Sequence, residues 1–122
     1  MAKTILIVDD SASLRQAVSI ALKRAGYDVM EASDGRDGLS KLTGQKVHLI
    51  ISDVNMPNMD GITMVTQIKQ MPAYKFTPVI MLTTEAGDDM KQRGKAAGAK
   101  AWVIKPFKPE QMIDAVGKLV AA

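Results

Sequence analysis

The fold is decided by a short apolar stretch near the start of the chain, Thr4-Ile5-Leu6-Ile7-Val8, which stops at the acidic pair Asp9-Asp10. A brief run rich in isoleucine, leucine and valine is typical of a strand that is buried on both faces of a parallel sheet. Runs of the same kind recur at Leu49–Ser52, Val79–Leu82 and Ala101–Ile104. The sequence therefore predicts four buried parallel strands.

Amphipathic segments separate these runs. Apolar residues recur at helical spacing from Leu14 to Ala25, at Leu39 and Leu42, from Met64 to Met71, more weakly across Asp88–Ala97, and from Met112 to Val120. Ser11 or Ser13 can cap the first helix, and Gly26 can end it. Asp28–Ala32 is more mixed in polarity and is predicted to be an edge strand. Five strand–helix alternations favour a doubly wound α/β fold, with a parallel sheet and helices on both faces.

Length and composition set the outer limits of function. With 122 residues, the chain is predicted to form one domain, residues 1–122, around one core. The absence of cysteine excludes thiol chemistry, and a single histidine, His48, excludes a multi-histidine metal site. No apolar run approaches the length of a membrane span and no signal peptide is evident, so we expect a cytoplasmic protein with no membrane partner.

Polar residues follow four of the predicted strands at the point where each strand ends. They are Asp9-Asp10, Asp53, Thr83-Thr84 and Lys105. Because the carboxyl ends of parallel strands share one edge of the sheet, three carboxylates, a hydroxyl and an ammonium group are expected to converge there. Taken singly, an aspartate after a strand is more typical of a turn or a helix cap. The joint occurrence at four strand ends favours a common site.

This set of groups predicts phosphoryl chemistry. Three neighbouring carboxylates repel one another and require a cation, and an all-oxygen cluster selects a hard ion such as Mg²⁺. Lys105 supplies a positive charge for a phosphoryl oxygen, and Thr83 can donate a hydrogen bond to another. One carboxylate then remains to act as a nucleophile and to form an aspartyl phosphate.

In these residues the chain resembles a known family, the receiver domains of two-component response regulators, and in particular their stand-alone chemotaxis type, the CheY type. The resemblance covers essentially the whole length and rests on the segments Ile7–Ser11, Asp53–Gly61, Leu82–Glu85 and Lys105–Phe107. It implies a flavodoxin-like sheet of five parallel strands in the order 2-1-3-4-5 with five helices.

The resemblance also implies a role for each site residue. Asp53 is expected to be the phosphoacceptor, with Thr83 and Lys105 as its catalytic and switching partners. The implied Mg²⁺ ligands are the side chains of Asp10 and Asp53, Asp9 mainly through water, and the backbone carbonyl of Asn55. The Lys105–Pro106 bond is expected to be cis.

Three further positions are singled out by the same resemblance. Asn55 and Glu85 lie two residues beyond Asp53 and Thr83, where they are expected to flank the path of attacking water and to favour a short-lived phosphate. Trp102 stands where the family has a rotating aromatic residue. It either packs as a structural residue or swings inward as Thr83 moves, and its large indole ring argues against complete burial.

The resemblance implies a sensor histidine kinase as the phosphodonor and an output protein that binds the face made by the fourth helix, the fifth strand and the fifth helix. Within chemotaxis that partner is the flagellar motor switch. A phosphorelay intermediate and a phosphate sink are the alternatives. Small-molecule phosphodonors are a further route, and the isolated domain is expected to catalyse its own phosphorylation and dephosphorylation rather than to act as an enzyme on other substrates.

A basic segment overlaps this output face. From Met90 to Pro109 the chain has no acidic residue, and its cations are Lys91, Arg93, Lys95, Lys100, Lys105 and Lys108. No nucleic-acid recognition motif accompanies them, so a solvated or protein-binding face, suited to an acidic partner segment, is favoured over nucleic-acid binding.

Two other classes use similar groups. A phosphatase of the haloacid dehalogenase type also needs aspartate, threonine, lysine and Mg²⁺, but its two catalytic aspartates stand two residues apart after the first strand, where this chain has adjacent Asp9-Asp10. A flavin- or nucleotide-binding module would need a phosphate-binding loop at the same place, where two carboxylates repel phosphate. Both fit the sequence less well than a phosphoreceiver.

Overall fold

The structure, a computed structural model, describes residues 3–84 and 88–120 of the chain. Its strands are β1 (Thr4–Val8), β2 (Asp28–Ala32), β3 (Leu49–Asp53), β4 (Val79–Thr83) and β5 (Ala101–Ile104). Its helices are α1 (Ala12–Arg24), α2 (Gly35–Lys41), α3 (Gly61–Ile68), α4 (Asp88–Ala97) and α5 (Pro109–Val120). Strands and helices alternate along the chain, as predicted.

All neighbouring strands are parallel, and their order in the sheet is β2-β1-β3-β4-β5. The predicted flavodoxin-like fold is therefore confirmed, and β2 lies at an edge as its mixed polarity indicated. Ala101–Ile104 differs from the prediction of burial on both faces, since each of its residues is only half-buried. The reason is its position, because β5 forms the other edge of the sheet and, among the described residues, pairs only with β4.

Two apolar layers cover the two faces of the sheet. Alternate residues of β1 point to opposite sides, so that Ile5 and Ile7 pack in one layer and Leu6 and Val8 in the other. The first layer includes buried residues of α1 and α5, and the second includes those of α3. Helices thus flank both faces, and the sheet is buried between them.

Short polar contacts set where the helices begin and end. Of the two predicted caps for α1, Ser11 is the one that acts, because its hydroxyl accepts a hydrogen bond from the Leu14 backbone N–H at 3.3 Å. Gly26 follows the helix with a φ of 97°, a left-handed conformation that favours glycine. The third helix ends at Ile68, earlier than the apolar pattern suggested, although Met71 still packs against the core from the turn that follows.

Within the described part of the chain, every helix is too short or too polar to cross a lipid bilayer.

Candidate functional site

Three carboxylates lie together at the carboxyl ends of β1 and β3. Asp9 and Asp10 follow β1 directly, and Asp53 is the last residue of β3. One oxygen from each carboxylate lies within 4.8 Å of the others. Asp9 is completely buried and Asp53 is 7% exposed, whereas Asp10 faces solvent. The cluster is therefore a partly enclosed acidic site with one open side.

Lys105 is the cation of this site. It follows β5, and its Nζ lies 3.3 Å from Asp9 Oδ2 and 3.3 Å from Asp53 Oδ2. Its backbone N–H donates to the Thr83 carbonyl at 2.8 Å, which continues the pairing of β4 and β5 beyond the last strand residue. The Lys105–Pro106 peptide bond is cis, as expected. One ammonium group thus faces two buried carboxylates.

Thr83 lies at the same edge of the sheet as the carboxylates. It is the last residue of β4, it is 1% exposed, and β4 lies beside β3 in the sheet. Parallel pairing therefore brings its hydroxyl-bearing side chain to the same sheet edge as Asp53. Thr84, the next residue, is exposed to solvent.

The electrostatics of the site favour a bound cation. Burial, and secondarily the charge of Asp9, raise the pKa of the Asp53 carboxyl above its ordinary value, and Lys105 offsets only part of this effect. One lysine cannot balance three carboxylates. Carboxylate oxygens with an open side toward solvent are the donor set that Mg²⁺ prefers, and the cluster of Asp9, Asp10 and Asp53 fits such an ion.

An arginine network behind the acidic cluster was not anticipated from the sequence. Arg15, on the first helix, donates from Nη1 to the carbonyl oxygen of Asp9 at 2.6 Å and from Nε to Glu31 Oε1 at 3.1 Å. The Ser19 hydroxyl donates to the other oxygen of Glu31 at 3.4 Å. These bonds tie the backbone at Asp9 to α1 and β2. The one sequence signal that could have identified Arg15 is its place on the amphipathic helix α1, one turn after the Ser11 cap.

The loop after β3 is held by two close contacts. Gly61 leaves no room for a side chain, since a Cβ there would lie 2.1 Å from the carbonyl oxygen of Asp53. Asn58 adopts a left-handed φ of 67°, and its amide donates to Asp34 Oδ2 at 2.7 Å. These contacts fix the loop that carries exposed Asn55. The pKa of the Asp34 carboxyl is lowered by the hydrogen bond from the Asp37 backbone N–H at the start of α2, and secondarily by the one from Asn58.

Glu85, predicted to flank the path of attacking water, and Trp102, predicted to be the rotating aromatic residue, have different outcomes. Glu85 lies outside the described residues. Trp102 lies on β5 and is half-buried, with its ring packed over Gly94 of α4. A Cβ at Gly94 would lie 2.3 Å from Trp102 Cζ3, and within the described structure the buried indole N–H has no hydrogen-bond partner.

The chain belongs to the response regulator receiver domain family, whose pattern it matches over residues 5–117. It is therefore the receiver domain of a two-component response regulator, the class to which both its fold and its acidic strand-end site correspond. The chemotaxis response regulator CheY4 of Vibrio cholerae is 46% identical, with a TM-score of 0.93 over 98% of this chain and 99% of CheY4.

Curated relatives extend this likeness. Protein PilG of Pseudomonas aeruginosa is 36% identical over 112 residues, which are 92% of this chain and 83% of PilG. The transcriptional regulatory protein PhoP of Bacillus subtilis is 38% identical over 92% of this chain. The chain spans only 46% of PhoP, so the likeness to that regulator concerns about half of its length. The chain is thus a CheY-like receiver domain similar to chemotaxis regulators.

Proposed function

We propose that this receiver domain is a phosphorylation switch in which Asp53 accepts a phosphoryl group from a sensor histidine kinase. The observation that carries the proposal is the position of the Asp53 carboxylate, 3.3 Å from Lys105 Nζ and within 4.8 Å of oxygens of Asp9 and Asp10. A nucleophile, a cation and a hard-metal donor set thereby meet at one sheet edge.

The transfer follows from the groups present. A carboxylate oxygen of Asp53 attacks the phosphorus of a phosphohistidine and forms a P–O bond. The P–N bond breaks, and its electron pair stays on the imidazole nitrogen, which then takes up a proton from solvent. Lys105 and the hydroxyl of Thr83 are proposed to contact the oxygens of the transferred group, where a cation and a hydrogen-bond donor stabilise negative charge.

The metal would be held by the side chains of Asp9, Asp10 and Asp53, with Asp9 acting mainly through water, and by the carbonyl of Asn55. Bound there, Mg²⁺ supplies positive charge that neutralises the phosphoryl oxygens and the carboxylates together. Hydrolysis of the aspartyl phosphate takes place at the same site and requires that water reach the phosphorus. We propose that Asn55 and Glu85 flank that water and make the phosphate short-lived, on a scale of seconds to minutes. An Asp53 phosphate that persists for many hours would contradict this assignment.

The signal is proposed to leave by protein binding at the surface formed by α4, β5 and α5. A hollow of about 250 Å³ lies on this surface, and its lining includes Lys91, Lys95, Lys100 and Trp102. Lysines around an aromatic side chain suit an acidic partner segment. Similarity to chemotaxis regulators makes the flagellar motor switch the first partner to test, with a relay histidine-phosphotransfer protein and a phosphate-sink role as the alternatives. We place the switch in the cytoplasm, with neither nucleic acid nor membrane as its ligand.

The decisive experiment is phosphorylation of the purified domain by acetyl phosphate with Mg²⁺, followed by intact-mass spectrometry and by binding of a candidate partner. The wild type is expected to gain one phosphoryl group, and Asp53→Ala none. Asp28→Ala, which removes an exposed aspartate outside the cluster, is the matched control and should behave as the wild type. Phosphorylation of Asp53→Ala at the wild-type rate would overturn the proposal.

A further inference from the structure

A second cleft lies at the end of the sheet opposite Asp53. It has a volume of about 550 Å³ and lies between the start of β3, the segment before β4, the residue before β5 and the end of α5. Its size is in the range of sites that hold a small organic ligand. None of the phosphorylation residues lines it, although Lys100 also lines the hollow on the proposed output surface.

The charges around this cleft have one sign. Lys46 and Lys100 line it, both are exposed, and within residues 3–84 and 88–120 neither forms an ion pair. The described lining residues include no aspartate or glutamate. Burial, and secondarily the charge of Lys100, lower the pKa of nearby Lys69, as expected where cations are crowded. The cleft therefore suits an anion.

His48 adds a fixed hydrogen-bond donor. Its Nδ1 accepts from the backbone N–H of Thr4 at 3.0 Å, and its own backbone N–H donates to the Thr4 carbonyl at 2.8 Å. With Nδ1 occupied as an acceptor, the neutral ring carries its proton on Nε2. This half-buried ring lines the cleft, and its Nε2–H is the hydrogen-bond donor that it offers to an anionic oxygen.

Phe76 gives the cleft an open aromatic surface. Its side chain is 87% exposed, and Lys75 Nζ lies 5.6 Å from the centre of its ring. The segment that carries it is held in place, because buried Tyr74 donates its hydroxyl to the Gln45 carbonyl at 2.9 Å and the Thr77 N–H donates to the Tyr74 carbonyl at 3.0 Å. The ring is thus presented to solvent from a fixed backbone.

We infer that this cleft binds a phosphate ester of a planar ring, the chemistry of a nucleotide. Lys46, Lys100 and His48 provide the contacts for phosphate oxygens. Phe76 provides a face on which a base can stack, and Pro72 and Pro78 form apolar walls beside it. The cations alone would accept any anion, and the exposed ring selects one that carries a flat aromatic group.

Calorimetric titration of the whole chain tests this site, with ATP, adenosine and inorganic triphosphate as probes. The titrations contain EDTA so that no metal-bound nucleotide collects at the acidic cluster. We expect saturable one-to-one binding of ATP that is tighter than binding of either adenosine or triphosphate. Phe76→Ala should weaken ATP binding roughly tenfold. The pair Lys46→Gln and Lys100→Gln should weaken ATP and triphosphate about tenfold and leave adenosine unchanged.

Two matched variants separate this site from general surface effects. Ile20→Ala removes a large exposed apolar side chain elsewhere on the surface, and Lys23→Gln removes an exposed lysine that is outside the cleft. Both should bind ATP as the wild type does. Absence of saturable ATP binding would overturn the inference. So would equal affinity for triphosphate and ATP, or an affinity that Phe76→Ala does not change, because each result would leave the ring without a role.

Discussion

At the scale of single residues, Asp53 is under two opposing demands. Its proposed chemistry needs a charged carboxylate, yet the residue is nearly buried and shares its surroundings with the buried carboxylate of Asp9. Lys105 is the only cation within salt-bridge distance of either one in the described structure. The raised pKa of Asp53 shows that the folded protein disfavours its charge when no metal is bound. Burial, and secondarily the charge of Asp9, therefore disfavour the charged form of Asp53.

Replacing Asp53 by asparagine tests whether burial and the neighbouring charge of Asp9 disfavour its charged form. Asp53→Asn is expected to raise the free energy of unfolding at neutral pH in EDTA, by on the order of 1 kcal/mol, because it removes a charge that the fold disfavours. Since the pKa of Asp53 is higher in the folded state, the wild type regains stability as it takes up a proton at lower pH. The difference should therefore narrow as the pH falls from 7 towards the ordinary value of 3.8.

Urea unfolding at a series of pH values, followed by circular dichroism, measures this difference. Asp28→Asn is the control, because it makes the same chemical change at an exposed position outside the cluster. An Asp53→Asn protein that is less stable than the wild type at neutral pH would show that the salt bridge to Lys105 outweighs burial and repulsion.

At the scale of secondary-structure elements, α4 and β5 meet through one glycine. Gly94 is buried in the middle of α4, and the Trp102 ring of β5 occupies the space where its side chain would be. A glycine in a helix interior weakens the helix. At this position the glycine is required because the indole approaches the helix backbone too closely to leave room for a side chain. The same ring lies on the proposed output surface, which couples the packing of α4 to the environment of Trp102.

Gly94→Ala is expected to displace the Trp102 ring, because the new Cβ would otherwise lie 2.3 Å from Cζ3. Overpacking of this kind typically costs about 1–3 kcal/mol of stability. Trp102 is the only tryptophan, so its fluorescence reports the displacement directly, as a shift of the emission maximum and a change in quenching by iodide.

Gly117→Ala is the matched control for this experiment. Gly117 also lies within a helix, α5, but a Cβ there would have nothing within 4 Å. Its replacement should stabilise the protein by up to about 1 kcal/mol and leave the tryptophan emission unchanged. If the two alanine variants have the same stability and emission, the packing of Trp102 on Gly94 is not a constraint in solution.

At the scale of the whole molecule, the acidic site ties metal binding to folding. The three aspartates come from two strand ends, and Lys105 is 96 residues away from Asp9 in the sequence. Only the folded sheet brings these groups together, so an ion that binds them binds the folded state alone and stabilises it by mass action. The stability of the entire domain should therefore report occupancy of a site at one edge of the sheet.

Mg²⁺ at ten times its dissociation constant is expected to add about 1.4 kcal/mol to the free energy of unfolding. Thermal melts with and without Mg²⁺, at equal ionic strength adjusted with KCl, measure this gain. Asp10→Asn should abolish most of it while preserving the fold, because Asp10 is exposed, and Asp28→Asn should retain it. An equal gain in both variants would assign the effect of Mg²⁺ to sites other than this cluster.

The sequence alone determined the order of strands and helices and the meeting of Asp9, Asp10, Asp53 and Lys105. Both follow from local rules, since apolar periodicity defines the elements and parallel strands bring their carboxyl ends to one edge. The same rules placed Asp53 and Thr83 just beyond strands that in fact include them, because strand ends depend on pairing with a neighbour. The prediction that β5 is buried on both faces was wrong for a related reason. In the described structure β5 is an edge strand that pairs only with β4, and it is therefore only half-buried.

Only the tertiary structure decided how these residues are packed. It buries Asp9 and exposes Asp10, although they are adjacent in the chain. It brings Arg15 onto the backbone of Asp9 and packs Trp102 on Gly94. It also assembles a basic cleft at the far end of the sheet from loops and the end of α5, which share no common sequence pattern. Such contacts depend on side-chain packing between distant segments, which composition and periodicity do not encode.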